Sequence, residues 1–323
     1  MRFLVKEAQS TPLVTVIATG GTIASKRGED GAFKPALTGD DLLSVLPEVD
    51  ARLRTVNLMS KDSSSLTFAD MQSISDAVKQ QITDGEVRGV VVMHGTDTME
   101  ESALLVHLQN AIEKPVIFTG AQFAADHPCS DGPTNLHHAI SLASDAVNAA
   151  RGVQIAFGGR TVSAWGAYKF SSDKADAFRN ARGETTKAKL ELSGRVDPVR
   201  VDMIAIYPGC DATQIKASVE AGAHGIVLQA LGSGNANRVI VEAAQECTSK
   251  GLPVIISSRV PDGALSPSYG GGGGGHDLAK AGAIHSRTLR PGQARILLAA
   301  LLASGADADA IRDAFDETVD AMH

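Results

Sequence analysis

The chain has 323 residues, 43% of them hydrophobic, 21% charged and 4% aromatic, with a formal net charge of −7. That length suits two domains, each with its own core, and the composition is that of an ordinary globular protein. The acidic balance leaves no basic footprint for nucleic acid, and no run approaches the ~18–20 apolar residues of a membrane span.

With aromatics scarce, Ala, Val, Ile and Leu must build the core, as in parallel sheets buried on both faces. The elements then follow in chain order. Val14–Ala18 is a strand, followed by a polar loop from Ser25 to Thr38. Gly39 to Pro47 is a short helix that starts on acids and ends at proline. Arg54–Leu58 is a second strand. Thr67 to Thr83 has helical spacing, with Phe68, Met71, Ile74 and Val78 on one face. Val90–Met93 is a third strand. Met99 to Ile112 is a helix with Glu100 and Glu101 in its first turn, where acids suit the dipole. Pro115–Thr119, a helix from Leu136 to Ala150, and Val153–Phe157 complete the first half. Ala181 to Arg200 has no period and reads as a connection. The pattern then restarts with Val201–Tyr207, a helix from Ala212, Gly225–Ala230, a helix over Val239–Ser249, and Pro253–Ser257. Two amphipathic helices close the chain, near Arg295–Ala303 and Asp307–Met322.

This alternation predicts an α/β fold. It would have a larger N-terminal parallel-sheet domain and a smaller C-terminal α/β domain. The boundary falls near residue 200, within about ten residues. The domains are then 1–200, with a linker from about 181, and 201–323. Cys129, Cys210 and Cys247 are few and widely spaced, so reduced thiols are expected rather than a zinc site or disulfide framework. The stretch from Met1 to Pro12 has no apolar leader core, and a cytoplasmic protein is the expectation.

Two strands end in glycine turns that deliver hydroxyls: Thr19-Gly20-Gly21-Thr22 and His94-Gly95-Thr96-Asp97-Thr98. In open α/β sheets, ligands bind just beyond the carboxyl ends of strands. Neither G-x-x-x-x-G-K-[ST] nor a G-x-G-x-x-G opening a helix is present, which disfavours nucleotide binding. Locally, Thr96 or Asp97 could equally be a helix cap, with Glu100 or Glu101 closing a capping box. The two roles are compatible, because a helix start also favours developing negative charge. Tyr269, six glycines (Gly270 to Gly275) and His276 form a low-complexity run. It reads as a flexible surface loop or as a flap over a site.

Ala18-Thr19-Gly20-Gly21-Thr22-Ile23-Ala24 and His94 to Glu101 together resemble the two signature segments of the bacterial-type L-asparaginase family. Further matches are Lys114 to Ala121, Ser130 to Leu136, Ser257 to Pro261 and Lys280 to Leu298. The resemblance implies a hydrolase that releases aspartate and ammonia from asparagine, in some members also acting on glutamine. It implies no metal or organic cofactor, and a homotetramer or homodimer with sites where subunits meet. Thr22 matches the first catalytic threonine, Thr96 the second, Asp97 the aspartate beside it and Lys169 the catalytic lysine. Ser63 and Ser64 match the segment that binds the substrate's α-amino and α-carboxylate groups. Ala121 would offer its carbonyl near the scissile amide, and Asn235 would come from the partner subunit. A threonine hydroxyl needs a base. A lysine in a dry pocket can serve as that base. Backbone amides near Thr96 could stabilise the oxyanion. Without the resemblance, Lys169 would read as a solvated surface lysine.

Two positions depart from the family. Its usual tyrosine after the first threonine is Phe33, which has no phenolic proton, and its usual glutamate aligns near Gly275. Tyr269 or His276 could substitute for the missing groups. Otherwise Thr96, Lys169 and Asp97 carry most of the chemistry. The alternatives are an asparaginase-fold binding protein with weak or altered catalysis, and the glutaminase subunit of an amidotransferase.

Overall fold

A computed structural model describes residues 11–28, 30, 33–35, 37–181 and 190–316, with only the backbone at 33–35. The N-terminal half contains β1 (Leu13–Ala18), β2 (Ser25–Arg27), β3 (Phe33–Pro35), α1 (Gly39–Ser44), β4 (Arg52–Asn57) and α2 (Phe68–Thr83). It continues through β5 (Val87–Met93), α3 (Met99–Gln109), β6 (Val116–Thr119), α4 (Gly132–Ser144) and β7 (Val153–Phe157). It closes with three short strands, β8 (Arg160–Ser163), β9 (Ala167–Lys169) and β10 (Phe178–Asn180). The C-terminal half contains β11 (Val201–Ala205), α5 (Thr213–Glu220), β12 (Gly225–Ala230), α6 (Arg238–Ser249) and β13 (Val254–Ser258). It ends in α7 (Gly275–Lys280), β14 (Ile284–His285), α8 (Pro291–Ala303) and α9 (Ala308–Phe315).

The large sheet has the order β4-β1-β5-β6-β7-β8, parallel except for the β7–β8 pair. The smaller sheet, β11-β12-β13-β14, is wholly parallel. Both faces of β1 are covered: Ile17 packs with Ile74, Val78 and Met99, while Val14 and Val16 pack with Leu136 and Ile140. A central strand buried on both sides needs a nearly continuous apolar run. Leu13–Ala18 provides it, broken only by Thr15, whose buried hydroxyl donates to Gln81 Oε1 at 3.1 Å. The first turns of α1 and α2 are set by capping boxes, Thr38 with Asp41 and Thr67 with Asp70. No helix among the described residues is long and apolar enough to cross a membrane.

Four expectations change. The polar loop after β1 contains the antiparallel hairpin β2–β3. Three strands after β7 leave no trace in the sequence pattern because each has only three or four residues, too few to show a period. Helix α8 is not amphipathic: Ala294 and the unbroken run Ile296–Leu301 are all buried. It lies between the two halves, against Leu104, Leu105 and Leu108 of α3 on one side and Val227 and Ile255 of the small sheet on the other. A helix apolar all round is a buried one. The last helix ends at Phe315, and the remainder of its expected span lies outside the described residues. So does part of the expected connection, residues 182–189.

The strand order creates the site. From β1 the chain runs to β4 on one side, then crosses to β5 on the other. That reversal leaves a crevice beyond the carboxyl ends of β1 and β5. In register, Ala18 lies beside Met93, so the two glycine turns leave the sheet together.

Candidate active site

The turns are packed backbone to backbone. Gly20 and Gly21 have φ of 106° and 86°, the left-handed region open to glycine. A Cβ on Gly20 would sit 2.5 Å from the Lys61 carbonyl oxygen, and one on Gly21 would sit 2.5 Å from Gly95 Cα. A Cβ on Gly95 would come within 2.6 Å of Ser63 Oγ. Three segments, 19–22, 61–64 and 94–97, therefore meet at one point, and glycine allows each close approach.

Thr19 is structural: its hydroxyl donates to the Met93 carbonyl at 2.8 Å. Thr22 opens a short 3-10 turn, Thr22–Ala24, that no side chain caps. Across the crevice, Thr96–Thr98 is another 3-10 turn leading into α3, and the expected capping box does not form there. The side chains face Lys169 instead. Lys169 Nζ lies 2.8 Å from Thr96 Oγ1 and donates to Asp97 Oδ1 at 2.7 Å. Thr96 is buried, Lys169 is 18% exposed and Asp97 is 60% exposed. Lys169 is thus not a solvated surface residue. Strand β9 pairs with β10, Lys169 opposite Phe178, and this aims the amine at the α3 turn.

Ser63 is buried, and its Oγ accepts from the Asp97 N–H at 3.1 Å. Its carbonyl accepts from the Thr98 hydroxyl at 3.0 Å. The Asp97 amide is therefore occupied and is not a free oxyanion donor. Ser64, next to it, is exposed. Ala121 is buried two residues beyond β6. Its loop is shaped by Asp131, which accepts from Gln122 N and Phe123 N, and by Asn135, which donates to the Gly120 carbonyl. Neither Asp131 nor Asn135 stands out in the sequence as a site-shaping residue, although both lie in the Ser130 to Leu136 segment that resembles the family.

Asn235, Tyr269 and His276 form a separate cluster in the C-terminal half, and none of their hydrogen bonds reaches Thr22, Thr96 or Lys169. Asn235 Oδ1 accepts from Gly275 N at 3.0 Å. The glycine run is not a loose insertion. Asp277 accepts from Gly272 N and Gly274 N, the Gly273 carbonyl accepts from Ala236 N, and the Tyr269 carbonyl accepts from His276 N. Gly271 and Gly272 have φ near 100°. Tyr269 itself is 65% exposed. Gly275 opens α7 and brings no carboxylate, as its residue type dictates. The side chain of Phe33 lies outside the described residues.

Three titratable groups, one buried and two partly buried, lie close behind the turns. Burial lowers the His94 imidazole to about 4, so it is neutral at pH 7. Its Nδ1 lies 2.6 Å from the Gly95 carbonyl oxygen and its Nε2 lies 2.9 Å from Ser102 Oγ. The Glu101 carboxyl is also raised by burial, with Arg295 acting against the shift. Burial pushes the Glu100 carboxyl up to about 8, and the neighbouring Glu101 adds to the shift. The Lys169 backbone N–H and ammonium act the other way. Part of Glu100 reaches solvent, but its Oε2 is sealed and has no hydrogen-bond partner among the described residues. First-turn acids on a solvated helix face would have stabilised the dipole; these two turn inward.

A pH signature follows. The folded Glu100 value, about 8, lies above the ordinary 4.5. The native state therefore holds a proton that the unfolded state releases. That contribution to stability is complete below about 4.5 and is lost as the pH rises through about 8. Glu100→Gln keeps the shape of the protonated acid and cannot ionise. Its thermal midpoint, compared with wild type, is expected to gain more at pH 8 than at pH 5. An equal difference at both pH values would show that Glu100 does not titrate in this window.

Among the described residues, no group of three or more His, Cys, Asp or Glu side chains could hold a metal ion. All three cysteines are free.

Residues 13–195 match the family model for the asparaginase N-terminal domain, and residues 200–315 match that for the glutaminase/asparaginase C-terminal domain. The chain belongs to the asparaginase family. A probable L-asparaginase of Deinococcus radiodurans is 34% identical, over 96% of this chain and 99% of that protein. The L-asparaginase 2-3 of Saccharomyces cerevisiae is 31% identical, over 95% of this chain and 90% of the yeast protein. Among solved structures, the probable cytoplasmic L-asparaginase from Campylobacter jejuni superposes with a TM-score of 0.84 at 28% identity. That match covers 94% of this chain and 99% of the other. The two-domain architecture, with its larger mainly parallel N-terminal sheet, is the family's own.

Proposed function

We propose that this protein is an L-asparaginase that hydrolyses the side-chain amide of asparagine to aspartate and ammonia. The observation that carries the reading is Lys169 Nζ, 2.8 Å from a buried threonine hydroxyl and 2.7 Å from Asp97, in the crevice where two glycine turns meet. A hydroxyl and an amine in this relation can exchange a proton, and a threonine needs that exchange in order to attack. The relatives named L-asparaginase across nearly the full chain supply the substrate class.

In this reading a threonine hydroxyl attacks the amide carbon and ammonia leaves. Water then hydrolyses the acyl-enzyme. Lys169 takes and returns the proton of Thr96, while Asp97 holds the lysine and faces the substrate's ammonium. Ser63 and Ser64 receive the α-carboxylate end, and the Ala121 carbonyl faces the leaving amide. Asn235 completes the site from a second copy, in a homodimer or homotetramer, and Tyr269 and His276 line its approach. Glutamine is a secondary substrate, since one methylene is worth only about 1–3 kcal/mol in a pocket. The domain boundary is placed near residue 200. The location is cytoplasmic, as for the probable cytoplasmic L-asparaginase from Campylobacter jejuni.

Ammonia release from L-asparagine, L-glutamine and their D-isomers tests the proposal. L-asparagine is expected to be turned over with the highest kcat/KM. A thermal shift with aspartate, without ammonia from any of the four amides, would make the protein a binding module instead.

A further inference from the structure

Lys169 stands 72 residues beyond Asp97 and meets it from a short strand. Something must fix that strand against the α3 turn. One buried side chain touches both. Gln293, in the first turn of α8, is 1% exposed. Its Nε2 donates to the Glu100 carbonyl at 3.0 Å and to the Ala164 carbonyl at 2.6 Å, and its Oε1 accepts from Gly166 N at 2.9 Å. Glu100 lies one turn after Thr96. Gly166, with φ of 77°, is the bend from which β9 carries the chain to Lys169.

We propose that Gln293, supplied by the C-terminal half, is a positioning residue that holds the Lys169 amine in register with the Thr96 hydroxyl. Both hydrogens of its amide and its oxygen are spent on the two segments that carry the pair. No apolar side chain of the same size replaces those bonds, and Gly166 N–H would be left buried without its acceptor. Reacting groups tolerate little error: a 1 Å misplacement can cost about 10²-fold in rate. The domain contact is in this way tied to the chemistry. The inference rests on the reading that Lys169 serves Thr96 in amide hydrolysis.

The test compares Gln293→Met with Leu297→Ala. Leu297 is fully buried on the same helix and touches neither segment by hydrogen bond. Both variants are expected to lower the thermal midpoint. At a temperature where both remain folded, Gln293→Met is expected to lower kcat for asparagine at least about tenfold, with KM within about threefold. Leu297→Ala is expected to keep kcat. A crystal structure of Gln293→Met is expected to place Lys169 Nζ beyond about 3.5 Å from Thr96 Oγ1, outside hydrogen-bond reach. If Gln293→Met does not fold, Gln293→Asn carries the same test, since it keeps a neutral amide but is one methylene too short to hold both segments at once. An unchanged kcat, or equal kcat losses in Gln293→Met and Leu297→Ala, would overturn the proposal. If the wild-type protein releases no ammonia from any amide, the functional reading fails. The Lys169–Thr96 separation in the variant crystal then decides the positioning claim by itself.

Discussion

Replacing Lys169 with methionine is expected to lower kcat for ammonia release from asparagine by about 10²–10⁴-fold, the range that a positioned base contributes. The fold should hardly notice. The ion pair lost is with Asp97, whose side chain is 60% exposed, and such a pair is worth about 0–1 kcal/mol. Methionine keeps an unbranched apolar stem while removing the amine that reaches Thr96 Oγ1. Activity assays paired with thermal unfolding separate the two effects. A variant with normal kcat would show that the 2.8 Å contact is a structural hydrogen bond and that the base lies elsewhere. A variant that loses stability in step with activity would place Lys169 in the scaffold.

The second large effect concerns the two threonines. Thr96→Val keeps the branched shape and removes the hydroxyl that faces Lys169, and kcat is expected to fall by on the order of 10³-fold or more. Thr22→Val is expected to cost less, because Lys169 bonds Thr96 and not Thr22 among the described residues, and the loop after Thr22 carries Phe33 in place of the family's usual tyrosine. The comparison is made on kcat/KM, with rapid-mixing assays for a burst of ammonia. A larger loss in Thr22→Val, together with disappearance of the burst, would assign acyl-enzyme formation to Thr22. Thr96 and Lys169 would then serve the hydrolytic step.

Much of the fold was legible because it is written locally. Val90–Met93 is an unbroken apolar run and Leu13–Ala18 is broken only by the buried Thr15, the pattern of strands covered on both faces. The α2 face of Met71, Ile74 and Val78 is visible in its spacing and is buried as that spacing requires. The features that local residue pattern misses are those whose partners are distant, although the family resemblance already groups Lys169 with Thr96 and Asp97. Thr96 and Asp97 carry the local pattern of a helix cap, but a lysine 73 and 72 residues away takes their side chains. Glu100 and Glu101 look like first-turn acids, yet α8 covers that side of α3 and their carboxyls are raised instead of stabilised. The six glycines look like slack chain, yet Asp277, Ala236 and Asn235 hold them in hydrogen bonds.

The sequence by itself determined the strands and main helices and the two glycine turns that deliver hydroxyls. All of these depend on residue periodicity and on the backbone freedom of glycine, which act over a few residues. Only the tertiary structure decided which hydroxyl has an amine beside it. That depends on the β4-β1-β5 order, which brings the turns together, and on β9 and Gln293 of α8, which bring Lys169 to one of them. Contacts of that kind join segments far apart in the chain, and the physics that selects them is packing, which no local pattern records.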